Sequence, residues 1–182
     1  NKWDEALYFK YLNRFKLPAD KKIKEFSKGM KIKLSIAAAL SHKPQLLILD
    51  EPTSGLDPIV RNEILDIFLE FIQDEERAIL FSSHITSDLD KIADYITFIH
   101  NGGLIFSQSK EEMLDYYGII KCGTDQFQLI DKEDIVGYRR NSFGCEVLIR
   151  NKRENRLKYR DWVMDDANLE DIMLFHIRGE KN

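Results

Sequence analysis

Apolar positions change period several times along the chain, and each change marks a predicted element. Leu7, Tyr8, Tyr11, Leu12 and Phe15 recur at helical spacing between Asp4 and Phe15, which predicts an amphipathic helix. Pro18 and Asp20 stop that pattern. Ser27 then stands as the N-cap of a helix to about Leu40, with Met30, Leu34, Ala37, Ala38 and Leu40 turned inward. After Ser41-His42-Lys43-Pro44 the period collapses into the unbroken run Leu46-Leu47-Ile48-Leu49. That run is too short for a helix and predicts a strand buried on both faces of a parallel sheet. It leads directly into Asp50-Glu51-Pro52. Gly55 permits a tight turn, and Asp57-Pro58 opens a helix to about Gln73, with the cap and first-turn proline in their favoured places.

Ala78 to Ser82 predicts a second buried strand, followed by Ser83, His84 and a short helix from Thr86 to Ala93. Tyr95 to His100 and Leu104 to Ser107 flank Asn101-Gly102-Gly103, a hairpin signal. Ser109 and Glu112 form a capping-box pattern opening a helix to Tyr117. Composition shifts at Gly118. Strand-like Phe127 to Ile130 and Gly144 to Ile149, and a helix from Asn168 to about Ile177, predict a small α+β appendage over 118–182.

The length of 182 residues allows one sizeable core, or one domain with an appendage. With 27 basic and 31 acidic residues the formal charge is -4, so nucleic acid is not the expected main partner. The basic clusters at Lys21 to Lys24 and Arg150 to Arg160 read as solvated faces. Cys122 and Cys145 lack metal-ligand spacing and are expected as free thiols. No stretch approaches the roughly 18 apolar residues of a membrane span. The chain starts with Asn, which predicts a piece of a longer polypeptide.

In open α/β sheets ligands sit at the carboxyl ends of the strands, so Asp50 and Glu51 lie where chemistry is expected, as a metal ligand and a base. Ser27 sets a helix amino end, where backbone N–H groups attract an anion, and Gly29 allows close backbone approach.

In order, Phe26-Ser27-Lys28-Gly29-Met30, Leu46 to Glu51, Ser54-Gly55-Leu56-Asp57 and Phe81-Ser82-Ser83-His84 resemble the signature sequence, Walker B strand, D-loop and switch histidine of an ATP-binding cassette (ABC) ATPase. Asn168-Leu169-Glu170-Asp171-Ile172-Met173 resembles the tail of bacterial export-type cassettes. The resemblance implies a partial P-loop NTPase, an α/β three-layer core with parallel strands. Residues 1–25 would close the helical subdomain, 26–117 would be the catalytic part, and 118–182 the α+β appendage.

It also implies ATP and Mg²⁺ as ligands. Asp50 would hold the metal, Glu51 would deprotonate the attacking water and His84 would sense the γ-phosphate. Ser27, Lys28, Gly29, Met30 and Asp57 would face a nucleotide held by the opposite protomer. Phe26, Lys28 and Met30 depart from the usual Leu-Ser-Gly-Gly-Gln; Lys28 adds a charge favourable to phosphate and Met30 removes an amide. The implied partners are a transmembrane permease subunit and a second nucleotide-binding subunit, at the inner face of the cell membrane. The P-loop, Gly-x-x-x-x-Gly-Lys-[Ser/Thr], does not occur in the 182 residues. The chain alone is therefore expected to be inactive and, with an unpaired sheet edge, to self-associate. A non-transport ABC ATPase acting on ribosomes or DNA, and a non-enzymatic interaction module, stay open as alternatives.

Overall fold

Capped helices begin where short polar side chains accept the first free N–H groups. Asp4 accepts from Leu7 N–H at 2.8 Å, Ser27 from Met30 N–H at 3.2 Å and Asp57 from Val60 N–H at 3.0 Å. These start α1 (Glu5–Arg14), α2 (Lys28–Leu40) and α3 (Pro58–Phe71). The computed structural model describes residues 3–180. Among them the chain divides into two compact units, Asn1–Ile92 and Ala93–Asn182, so the division falls ahead of the composition shift at Gly118.

In the first unit β1 (Leu46–Asp50) pairs in parallel with β2 (Ala78–Ser82), Asp50 opposite Ser82, and α4 (Thr86–Ile92) closes the unit. Phe15, Ile36, Ala37, Leu40, Leu47, Ile64 and Phe68 form the core, with Leu49, Ile79 and Phe81 packed against it. The two strands are not buried on both faces as the apolar run predicts. Leu46, Ile48 and Leu80 are 52%, 71% and 62% exposed. Side chains alternate along a strand, and the core helices cover only the face bearing Leu47 and Leu49.

The second unit opens with β3 (Tyr95–His100) and β4 (Gly103–Ser109), an antiparallel hairpin turning at Asn101-Gly102 as predicted. Then follow α5 (Lys110–Tyr116), β5 (Gly118–Cys122), α6 (Thr124–Phe127), β6 (Ile135–Asn141), β7 (Gly144–Ile149), α7 (Lys152–Lys158), β8 (Val163–Asp166) and α8 (Leu169–Arg178). Strands β6-β7-β5-β8 make an antiparallel sheet. The predicted strand at Phe127 to Ile130 is instead the end of a helical turn, because Gln126 reaches back and accepts the Gly123 N–H at 2.9 Å. On the sheet, α8 packs against β6 so closely that a Cβ on Gly137 would lie 2.6 Å from the Phe175 carbonyl oxygen. Only glycine fits there. The basic stretch from Arg150 is not simply solvated: Lys152 is buried and donates to the Leu114 carbonyl at 2.6 Å. Cys122 and Cys145 are free, buried and directly opposite in the β5–β7 register; burial first, then Cys145, pushes the Cys122 thiol up to about 11.

Candidate catalytic half-site

The parallel register of β1 and β2 sets their carboxyl ends side by side, and four polar side chains meet there. Ser82 Oγ–H donates to Asp50 Oδ1 at 2.6 Å, and the Glu51 N–H donates to the same Oγ at 3.0 Å. Glu51 leaves the strand with φ +48°, a left-handed conformation. This turn directs its carboxylate onto His84, whose Nδ1 lies 2.7 Å from Oε2. A carboxylate only accepts, so Nδ1 carries the shared proton and Nε2 is left for a ligand.

Magnitudes show that stability does not account for this arrangement. The His84 and Glu51 side chains are 66% and 37% exposed, and an exposed pair contributes at most about 1 kcal/mol. A left-handed backbone at a residue other than glycine costs about 1–2 kcal/mol. Strain next to a solvent-facing acid and imidazole is the pattern of a functional site.

A second cluster forms where the start of α2 meets the turn before α3. Ser27, Lys28, Gly29, Gly55, Asp57 and Val60 border a cleft of about 240 Å³. Gly55, at φ +68°, passes beneath the Lys28 ammonium, which lies 2.7 Å from where a Cβ would stand. The positive φ favours glycine, whereas the flexible Lys28 side chain can move aside. Ser27 and Asp57 each spend an oxygen on their own helix caps. Lys28 and Asp50 also border a larger cleft of about 460 Å³ between α2 and β1. The structure thus gathers Asp50, Glu51 and His84 in one group and Ser27, Lys28, Gly29, Met30 and Asp57 in another, with Lys28 bordering both clefts.

Comparison with known proteins places these groups in a context. A family model described as "AAA domain, putative AbiEii toxin, Type IV TA system" matches residues 6–90. The ABC transporter ATP-binding protein YtrB of Bacillus subtilis is 27% identical over 188 residues, covering 99% of this chain and 64% of that protein. The lantibiotic transport ATP-binding protein SrtF of Streptococcus pyogenes is 48% identical over 86 residues, 47% of this chain and 37% of that protein. In structure, the ADP conformation of MJ1267, an ATP-binding cassette of an ABC transporter, superposes with a TM-score of 0.50 at 28% identity, over 62% of this chain and 45% of that one.

The fold is similar to that of an ABC transporter's ATP-binding cassette, and both of these relatives are transport ATP-binding proteins. The chain spans about two thirds of YtrB and little more than a third of SrtF. Among the described residues no helix is long and apolar enough to cross a membrane.

Sequence reading placed Ser82 in the motif that ends at His84 and gave it no role of its own. Ser82 is the hinge of the acidic group, since it binds both Asp50 and the Glu51 backbone. The signal was present: in a parallel pair the last residue of one strand stands beside the last of the other, and a hydroxyl beside an aspartate is a ready donor.

Proposed function

We propose that this chain supplies the catalytic half-site of an ABC transporter nucleotide-binding subunit, which hydrolyses ATP to drive a transmembrane permease partner. The observation that carries the reading is the contact of Glu51 with His84 at the ends of two parallel strands, next to an aspartate locked by Ser82. In this role Glu51 orients the attacking water and takes its proton, while His84, held at Nδ1 by Glu51, turns Nε2 toward the transferred phosphoryl group. Asp50 is an exposed hard-oxygen donor at a strand end, the kind of ligand that suits Mg²⁺, which binds through one or two carboxylates plus phosphate and water. Mg²⁺, when bound, neutralises charge developing between the phosphates.

Ser27, Lys28, Gly29, Met30 and Asp57 would complete the site of a second nucleotide-binding subunit, making the working unit a dimer at the inner face of the membrane. The N–H groups at the start of α2 and the Lys28 ammonium suit a phosphate there. Similarity to SrtF supports a peptide-antibiotic class of cargo. The match of 6–90 to an AAA-domain model supports a second reading, a non-transport ABC ATPase. Co-purification of the full-length subunit with a membrane protein separates the two.

The test is Glu51→Gln in the full-length subunit that carries this chain. Turnover is expected to fall at least about 10²-fold with MgATP binding retained and an ATP-bound dimer accumulating. Near-normal hydrolysis would remove Glu51 from the role. The 182-residue chain, having no P-loop, is expected to show no MgATP turnover in the same assay.

A further inference from the structure

Four residues beyond His84, a carboxylate is buried without access to water. Asp88, in the first turn of α4, has a side chain that is 0% exposed, and both its oxygens are engaged. Thr53 Oγ1–H donates to Oδ2 at 2.5 Å, and Arg61 Nε–H donates to Oδ1 at 2.5 Å. Arg61 also donates through Nη2 to Ser87 Oγ. Thr53 is itself fully buried.

The partners come from the three segments on which the site depends. Thr53 belongs to the turn that follows Glu51, Arg61 to the start of α3 just past the Asp57 cap, and Asp88 to the helix that follows His84. The turn is tightened by Ser54 N–H donating to the Glu51 carbonyl at 3.2 Å and Leu56 N–H to the Thr53 carbonyl at 3.3 Å. On the other side Asp88 N–H donates to the Ile85 carbonyl at 3.1 Å. Buried charges persist when fully paired, and a paired one fixes geometry more than it adds stability. Here the geometry fixed is the separation of two loops whose exposed members, Glu51 and His84, must meet.

We infer that Asp88 is a positioning residue: through Thr53 and Arg61 it locks the Glu51 to Asp57 turn against the His84 segment and so sets the Glu51–His84 contact. Its effect on turnover rests on the catalytic reading of that pair, whereas its effect on the contact is measurable in this chain alone. Asp88→Asn keeps the shape but weakens the acceptor toward Arg61. Thr53→Val removes only the hydroxyl donor.

The experiment follows the His84 imidazole ¹⁵N and ¹H resonances in the 182-residue chain, with Glu51→Gln marking the signal of a ring that has lost its carboxylate. Asp88→Asn and Thr53→Val are expected to move the His84 signals toward the Glu51→Gln position, while the surface variant Gln73→Ala does not. In the full-length subunit the same two variants are expected to lower kcat about 10- to 100-fold with KM for MgATP within twofold, as misplacement of a reacting group does. A purely packing role would lower melting temperature and leave the ring signals in place. His84 signals that follow Glu51→Gln but ignore both brace variants overturn the brace alone. Signals that ignore Glu51→Gln as well overturn the catalytic pair and the brace with it. Should Asp88→Asn fail to fold, Thr53→Val decides by the same reading.

Discussion

The two units of the chain solve the problem of burying a sheet in opposite ways. In the second, antiparallel strands bring Ile120, Val147, Leu148 and Ile149 to complete burial, and the rim is stitched by ion pairs from Lys158 to Asp131 and Asp134 and from Arg156 to Asp166. It holds no catalytic constellation among its described residues. In the first, two parallel strands leave Leu46, Ile48 and Leu80 facing solvent, yet every residue of the candidate site is there. Parallel strands are normally covered on both faces, so apolar side chains on the open face mark a surface built to meet more protein. The candidate site thus stands at the end of a sheet whose other face is apolar and open, whereas the four-stranded sheet of the second unit is buried at its centre; the β3–β4 hairpin of that unit also leaves Tyr95, Ile99 and Leu104 exposed.

That contrast breaks most sharply in the cores. Phe68 in α3 and Phe175 in α8 are both 0% exposed, and truncating a buried phenylalanine to alanine costs about 3–5 kcal/mol. The same loss should have unequal consequences. Phe68→Ala is expected to unfold the first unit in the 182-residue chain, because one sheet face contributes nothing to its stability. Phe175→Ala is expected to leave the second unit folded at a lower melting temperature, since its sheet keeps the cluster around Ile120, Val147 and Ile149. Residue-level hydrogen exchange on each variant checks this. Equal global loss of protection in both would show that the units do not differ in reserve.

The same division explains what could be read in advance. Helix starts were legible because Ser27, Asp57, Ser109 and Asn168 cap locally, each through its own side chain. The ends of β1 and β2 were legible because a short continuous apolar run that stops at polar residues, Asp50-Glu51 in one and Ser82-Ser83-His84 in the other, has few other readings. Their burial was not, since the run carries both faces of a strand and only tertiary cover decides which is hidden. Strands β5, β6 and β8 were missed: Lys121, Arg139, Arg140 and Asp165 break the apolar pattern, and those strands are held by pairing with distant partners. Among site residues, Ser82 and Asp88 escaped for the same reason. Their partners Asp50 and Thr53 are distant in sequence and are brought near by the parallel register and by α4.

A smaller effect concerns the open face itself. Leu80→Lys places a charge where the side chain is already exposed, so its direct cost to folding should stay within about 0.5 kcal/mol. Its effect on association should be larger, because an exposed apolar strand face is a pairing surface. Sedimentation velocity is expected to show the 182-residue chain self-associating and the Leu80→Lys chain shifted toward monomer. Phe143→Lys makes the comparison: Phe143 is 95% exposed at a turn of the second unit and should not change the distribution. If both variants act alike, exposure alone rather than the sheet face governs association.

The smallest effect is electrostatic and falls on the better-packed unit. Burial pushes the Asp134 carboxyl up, but hydrogen bonds from Lys158, at 2.8 Å, and from Asn155 outweigh it and hold the group below the usual carboxylate range. A depressed folded-state value means the folded form binds its proton less readily than the unfolded one. The stabilisation is therefore present above the unfolded value of about 4 and is lost as pH falls through the folded one. In the first unit Arg14 lowers Glu70 and Lys43 lowers Asp4 in the same sense, but those carboxylates are 58% and 29% exposed against 17% for Asp134, so water screens them more. Acidification below about pH 4 should thus cost the second unit more of its pairing. Trp162 lies 5.0 Å from Tyr159, which packs with the second unit's core, and its fluorescence in a Trp3→Phe background follows that unit's melting. The melting temperature is expected to drop by a few degrees between pH 5 and pH 3, and Asp134→Asn should flatten the drop by starting lower at pH 5. An unchanged slope in Asp134→Asn would remove Asp134 from the acid response.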